Sequence, residues 1–365
     1  MRFYWYWPFA RPEEMPLACA TARAGDEITV HVIDREAAPT MSPCERVALR
    51  RDLPDVRRDV RRPSAWAASR AATYARRSSI RERAVARSRP DVCHLQYLNR
   101  FTDWVLPRRR GFGLVMSVHD VVPHESRLPS RAERLLLTAT YRRADALIVH
   151  HERLRRELLG VFDLDERKVH VVPHQVFVYD DVEPTALPED PPCALFFGAL
   201  RANKGIDVLL EALETLPPEI TVCVAGWGNP EIEAQLRRAA GRDPRLHLEI
   251  AHVPIPRKIE LFRRASVVVL PYTSFASQSG VLHDAYAQGR PVIVTDVGAL
   301  GQTVREDGTG LVVPPGDATV LARSIDGYLS DRAVLAGHAQ RTLAIRQERS
   351  PQEIGARLRE LYGRL

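Results

Sequence analysis

The sequence predicts an α/β chain made of two parallel-sheet domains in tandem, and three observations carry that prediction. Its 365 residues exceed what one compact core usually organises and suit two domains of roughly 170 residues each. Hydrophobic residues make up 45% and charged residues 27%, an ordinary globular balance that excludes wholesale disorder. Short apolar runs of four to eight residues alternate with helix-compatible stretches, the pattern of parallel strands joined by crossover helices.

In the first half the expected strands are Phe3–Trp7, Glu27–Ile33, Val92–Gln96, Gly113–Val118, Ala146–Val149 and Val169–Val172. In the second half they are Cys193–Phe197, Ile220–Ala225, Leu246–Ile250, Val267–Leu270, Pro291–Thr295 and Gly310–Val313. The aromatic run of the first strand, Phe3 to Trp7, reads as core of a sheet buried on both faces. Trp7 and Phe9, at its carboxyl end, are also placed to stack on a ligand. The segment from Arg46 to Arg89 carries Trp66, Ala67, Arg70 and Tyr74 on overlapping helical faces and is expected to form one or two helices. VEPTALPEDPPC, Val182 to Cys193, is rich in proline and acid, lacks a period and reads as a linker. Domains are therefore expected over 1–182 and 193–349, separated by 183–192. Ala318–Leu329 and Pro351–Leu365 look amphipathic, the latter opened by Ser350 and Pro351 as cap and first-turn residue.

Composition narrows the function. No apolar run reaches 18 residues, and MRFYWYWPFARPEE lacks the apolar core and cleavage site of a secretory signal, so a cytoplasmic protein is expected. The 5 cysteines are scattered and never at CxxC spacing, which argues against a disulfide framework or a zinc site. Charge is uneven: from Arg46 to Arg110 there are 18 basic and 6 acidic residues, a block able to attract an anionic membrane surface. No nucleic-acid-binding motif accompanies it, so no nucleic-acid partner is expected. Without a GxSxG elbow or a cysteine–histidine signature, acyl transfer has no support.

Three loops of the second half carry chemistry. In LFFGALRANKGIDVLL a strand ends at Gly198, a short loop brings up Arg201 and Lys204, and a helix opens near Gly205. Cations where a strand end meets a helix N-terminus suit a diphosphate, because side-chain charge and unpaired N–H groups face the same oxygens. In TVCVAGWGNPEIEAQL, Gly226 and Gly228 form a G-x-G without its third glycine, and no acid is placed to hold a ribose in the dehydrogenase manner. In SQSGVLHDAYAQGRP a helix starts near Val281, so Ser279, Gly280 and Val281 offer consecutive N–H groups, with Asp284 one turn further on.

Taken in order and spacing, KG at 204–205, AGWG at 225–228, the SGVLHDAYAQGRPVI block and EDGTGLVVPPGD at 306–317 resemble the C-terminal half of retaining glycosyltransferases of family 4, which have the GT-B fold. CHLQYLN at 93–99, SVHDVVPH at 117–124 and VHVVPH at 169–174 extend the resemblance into the first half.

The resemblance implies two Rossmann-like doubly wound domains facing a cleft, the acceptor held by the first and a nucleoside diphosphate sugar, UDP-linked by expectation, by the second. The final helix would return to the first domain. The resemblance assigns Arg201, Lys204 and the amides of Ser279, Gly280 and Val281 to the diphosphate, without a metal or other cofactor. It assigns the nucleoside to Asp284, Gly226, His252 and Val253. His119 would be the catalytic residue, orienting a sugar hydroxyl, while Trp7, Phe9 and His124 face the acceptor. His174 also lies near a predicted strand end. Two departures stand out. The family's first motif glutamate falls on Ala276, and the loop after the first strand, PFARPEEMP, lacks glycine. The expected activity is transfer of a hexosyl unit to a hydroxyl of a small-molecule or natural-product acceptor. A lipid-linked acceptor reached through the basic block, or a non-catalytic nucleotide-sugar-binding protein on a degenerate scaffold, are the alternatives.

Overall fold

The computed structural model describes residues 1–8, 10–33, 44–53, 63–97, 111–119, 121, 131–179, 182–188, 192–274 and 279–365, with 63–71 and 132 by backbone alone. Two compact units emerge: Met1–Gln175 together with Pro351–Leu365, and Val176–Ser350.

The first unit holds the strands β1 (Arg2–Tyr6), β2 (Glu27–Ile33), β3 (Val47–Leu53), β4 (Val92–Leu95), β5 (Gly113–Ser117), β6 (Ala146–Val149) and β7 (Val169–Val171). They form one parallel sheet in the order β3-β2-β1-β4-β5-β6-β7. Its helices are α1 (Met15–Thr21), α2 (Pro63–Ser88), α3 (Arg131–Tyr141) and α4 (Glu152–Val161). The second unit contains β8 (Cys193–Phe197), β9 (Thr221–Gly226), β10 (Leu246–Ile250), β11 (Val267–Leu270), β12 (Val292–Thr295) and β13 (Gly310–Val313), in the parallel order β10-β9-β8-β11-β12-β13. Around it lie α5 (Ile206–Leu213), α6 (Pro230–Ala240), α7 (Ile255–Arg264), α8 (Gly280–Ala287), α9 (Leu300–Asp307), α10 (Ala318–Ser330) and α11 (Arg332–Glu348).

Central strands are continuous apolar runs because helices cover both faces of each sheet. β4, β6, β11 and β12 are buried along their whole lengths. The aromatics of β1, with β2 and β4 on either side, are core: Phe3, Tyr4, Trp5 and Tyr6 are all buried. Tyr4 reaches the His31 ring, whose Nε2 lies 2.5 Å from Asp52 Oδ1.

The segment from Arg46 to Arg89 corrects the expectation of helix throughout. It begins with β3, VALRRDL, and only then enters α2. β3 is a sheet edge paired only to β2, so Arg50, Arg51 and Asp52 can face outward from a strand. The side chains of Trp66, Ala67 and Arg70, together with residues 98–110 of the basic block, lie outside the described residues. α11 is a second element that the sequence reading left unassigned; Leu335, Ala339, Thr342 and Ile345 form its buried stripe.

The last helix, α12 (Pro351–Tyr362), belongs to the first unit and packs on α1. Ile354, Leu358, Leu361 and Tyr362 join the core that contains Phe3, Leu17 and Ala18. Gly355 permits the approach, since a Cβ there would stand 2.9 Å from the backbone of Ala20 and Thr21. Tyr362 hydroxyl lies 2.6 Å from His94 Nδ1, and Arg359 pairs with Asp26.

Candidate functional site

In an open parallel sheet, ligands collect outside the carboxyl ends of the strands, where the strand order reverses. In the second unit that reversal falls between β8 and β11. The loops after β10, β9, β8 and β11 therefore stand side by side, and the donor-side residues singled out from the sequence lie in them, at the end of β9 or in the first two turns of α8.

The loop after β8 is shaped by glycine. Gly198 has φ +121°, and Gly226, the last residue of β9, has φ +142° and would press a Cβ to 1.9 Å from the Gly198 carbonyl oxygen. The two loops then bridge: Leu200 N–H donates to the Trp227 carbonyl at 3.0 Å and Asn229 N–H to the Leu200 carbonyl at 2.8 Å. A short turn, Ala202–Lys204, ends at Gly205, whose φ of +65° caps α5. A Cβ on Gly205 would stand 1.8 Å from the Pro271 carbonyl oxygen, so this turn is seated directly on the loop after β11. Thr273 N–H donates to the Asn203 carbonyl at 3.0 Å, and the Asn203 amide donates to Ser274 at 3.0 Å.

Arg201 is exposed, whereas Lys204 is half-buried with its Nζ 3.6 Å from the centre of the Tyr272 ring. Burial and the neighbouring Arg201 push the Lys204 pKa down to about 7, while the π face of Tyr272 favours the charged form. Tyr272 is buried, which pushes its phenol up to about 12, and its hydroxyl lies 2.9 Å from Ser279 Oγ. Ser279 is the N-cap of α8, and Gly280 and Val281 form the start of its first turn. A phenol ring thus links the lysine to a helix N-terminus whose first amides have no partner within the helix. Residues 275–278, and with them Ala276, lie outside the described residues.

Asp284, one turn into α8, is buried and accepts from Tyr179 Oη at 2.7 Å and Lys258 Nζ at 3.1 Å. His252 and Val253 lie between β10 and α7. The His252 ring lies 5.0 Å from that of Trp227, which is 53% exposed. Sequence reasoning picked the glycines of AGWG and passed over the tryptophan between them; its position after a strand was the available signal. Tyr272, Tyr179 and Lys258 were missed as well, because only the sheet order brings them beside Ser279 and Asp284.

In the first unit the order reverses between β1 and β4. There Trp7 and His119 line a cavity of about 40 Å³. His119 Nε2 donates to the Gln96 carbonyl at 2.8 Å, and its ring lies 4.8 Å from His150 and 6.5 Å from His174. His94 is buried within hydrogen-bond reach of Tyr362, Ser117 and Gln96, and burial pushes its pKa down to about 3. His150, Gln175 and Glu14 complete this cluster and were not foreseen. Phe9, Asp120 and His124 lie outside the described residues. Among the described residues no group of three or more His, Cys, Asp or Glu side chains is arranged to hold a metal ion, and no helix is long and apolar enough to cross a membrane.

Two family models match the chain: one described as Glycosyltransferase Family 4 over residues 17–176, and one described as Glycosyl transferases group 1 over residues 191–331. A D-inositol 3-phosphate glycosyltransferase from Xylanimonas cellulosilytica is 29% identical over 68% of this chain and 67% of its own length. Across this and two further relatives of the same name, from Streptomyces scabiei and Streptomyces avermitilis, the chain spans 59% to 67% of their length. Sucrose-phosphate synthase from Thermosynechococcus elongatus superposes with a TM-score of 0.76 at 20% identity, covering 100% of this chain and 98% of that one. Anabaena Alr3699/HepE in complex with UDP does so at 0.72 and 17%, covering 100% of both. These structural likenesses concern the fold.

Proposed function

The chain belongs to glycosyltransferase family 4, and from that premise we propose that it is a retaining, metal-independent transferase moving a hexosyl unit from a UDP-sugar to a hydroxyl of a small-molecule acceptor. One observation carries the reading: Arg201, Lys204 and the N-terminus of α8 border the strand-order reversal of the second sheet, with Tyr272 between lysine and helix. A solved neighbour in complex with UDP, and the relatives named as glycosyltransferases, point the same way.

As the glycosidic bond loosens, negative charge grows on the β-phosphate and positive charge on the anomeric carbon. Fixed donors aimed at the departing oxygens lower that barrier without reorganising during the reaction. Arg201, Lys204 and the Ser279–Val281 amides supply two cationic side chains and a helix N-terminus, which is the neutralisation a divalent ion would otherwise provide. Trp227 and His252 form the wall against which the base lies, and Asp284 meets the ribose while still tied to Lys258 and Tyr179. His119 orients a sugar hydroxyl. The acceptor attacks from the face the diphosphate leaves, a diphosphate oxygen takes its proton, and configuration is retained.

Calorimetric titration of UDP, GDP, ADP and TDP in EDTA tests the donor side. We expect one nucleotide to bind selectively and the Arg201→Ala/Lys204→Ala variant to lose on the order of 100-fold in affinity or more, with its melting temperature unchanged. Undiminished affinity in that variant removes the centre of this reading. Donor hydrolysis, followed for a panel of nucleotide sugars, then distinguishes an enzyme from a protein that only binds them.

A further inference from the structure

The cavity at the carboxyl ends of β1, β4, β5, β6 and β7 is lined by two buried lone pairs that have no donor. His150 Nδ1 lies 2.9 Å from the Val172 carbonyl oxygen. A carbonyl only accepts, so this nitrogen carries the proton. Burial, together with His119 and His174, holds the ring neutral, well below the ordinary histidine range. A neutral imidazole has one N–H, so Nε2 is a bare acceptor; it is buried and has no hydrogen-bond partner.

Gln175 repeats the pattern. Its amide N–H donates to the Glu14 carbonyl at 3.1 Å, which fixes the orientation of the amide, and its buried Oε1 has no donor. Buried polar atoms without partners are rare, and two in one small cavity need a reason.

Volume and charge then decide what fits. About 40 Å³ is far below the volume of an ordinary ligand pocket, so the recess takes a substituent rather than a whole molecule. Among the described residues no lysine or arginine lines it, so within this lining a phosphate would bring acceptors to acceptors. A hydroxyl brings one hydrogen and its own lone pairs. A primary ammonium brings three N–H groups and no lone pair; Glu14 lines the same cavity, its carboxyl tied to Arg11 and its pKa pushed up by burial.

We infer that this cavity seats a primary ammonium substituent of the acceptor molecule, held by His150 Nε2 and Gln175 Oε1. The inference deepens the acceptor side of the proposed function and rests on it only in naming the ligand an acceptor. The favoured substrate class is an amino-substituted polyol rather than a phosphorylated one.

Three probes differing at one substituent test it: scyllo-inosamine, scyllo-inositol and scyllo-inositol phosphate, titrated calorimetrically into the full-length protein at pH 7 without nucleotide. The amine is expected to bind at least tenfold more tightly than the hydroxyl compound, with the phosphate weakest. His150→Phe, which keeps an aromatic ring and removes the lone pair, is expected to abolish that preference. Equal affinities, a preference for the phosphate, no binding of the amine, or an unchanged preference in His150→Phe would each overturn the inference. A readout independent of the variant's folding is the ¹⁵N resonance of His150 Nε2 in the wild type. It must shift on saturation with the amine, and a stationary signal refutes the contact. UDP titration of the same sample keeps the two readings apart: UDP binding without amine binding refutes this inference alone, and the converse refutes the donor site alone.

Discussion

At the scale of single residues, Lys204 is expected to make the proposed donor site sensitive to pH. With a pKa near 7 in the unliganded protein, its ammonium is lost as pH rises through 7, and a bound diphosphate pulls the proton back. Nucleotide affinity is therefore expected to fall between pH 7 and pH 9 by up to about tenfold per unit, with proton uptake visible as a buffer-dependent binding enthalpy. Lys204→Arg keeps the charge at every pH, and calorimetry across this range should show the slope flattened. Stability responds in the opposite sense: above pH 7 the unfolded chain still holds the proton that the folded chain has released, so this residue favours folding more as pH rises toward 10. The histidines of the first unit set the acid side. Burial pushes His94 to about 3 and His31 to about 4, so between those values and the ordinary 6.5 the unfolded chain binds more protons than the native one. Each costs about 1.4 kcal/mol per pH unit below 6.5, and thermal melts from pH 7 down to pH 4.5 should show a steep fall in Tm.

At the scale of elements, two glycines are requirements of backbone proximity. Gly226→Ala forces a methyl group against the Gly198 carbonyl at a φ of +142°, and Gly205→Ala does the same against Pro271 at +65°. Each is expected to destabilise by roughly 2 kcal/mol or more, and chemical denaturation would reveal a lower midpoint at unchanged slope. The elements were legible in the sequence to the degree that they are buried. β6 and β11 are apolar from end to end, and β4 and β12 nearly so, because sheet neighbours and helices enclose them, and their positions follow from composition. β3 was not legible, because an edge strand tolerates Arg50, Arg51 and Asp52 and reads as helix or loop. The loops after β8 and β11 announced themselves through glycine beside lysine or serine, and the loop after β9 through its paired glycines. Tyr272, His150 and Gln175 gave no such signal. They matter through strand order, which places residues far apart in sequence at neighbouring strand ends, and no local pattern encodes that order.

At the scale of the whole molecule, the first unit depends on a helix that follows every residue of the second. Leu361 in α12 is 6% exposed within the core shared with Phe3, Leu17 and Ala18. Leu361→Ala is expected to cost about 2–5 kcal/mol, to be read from equilibrium unfolding. Tyr362→Phe should cost less, since His94 Nδ1 also lies 3.2 Å from the Gln96 amide. The same arrangement has a temporal side. On the ribosome the polypeptide emerges in order, so Met1–Gln175 is exposed long before Pro351–Leu365 arrives, whereas Val176–Ser350 has all its own residues by the time Ser350 appears. The half made first is thus the half completed last. Until α12 emerges, the apolar surface of Phe3, Leu17 and Ala18 must wait uncovered, and that interval is where a chaperone has most to do for this chain.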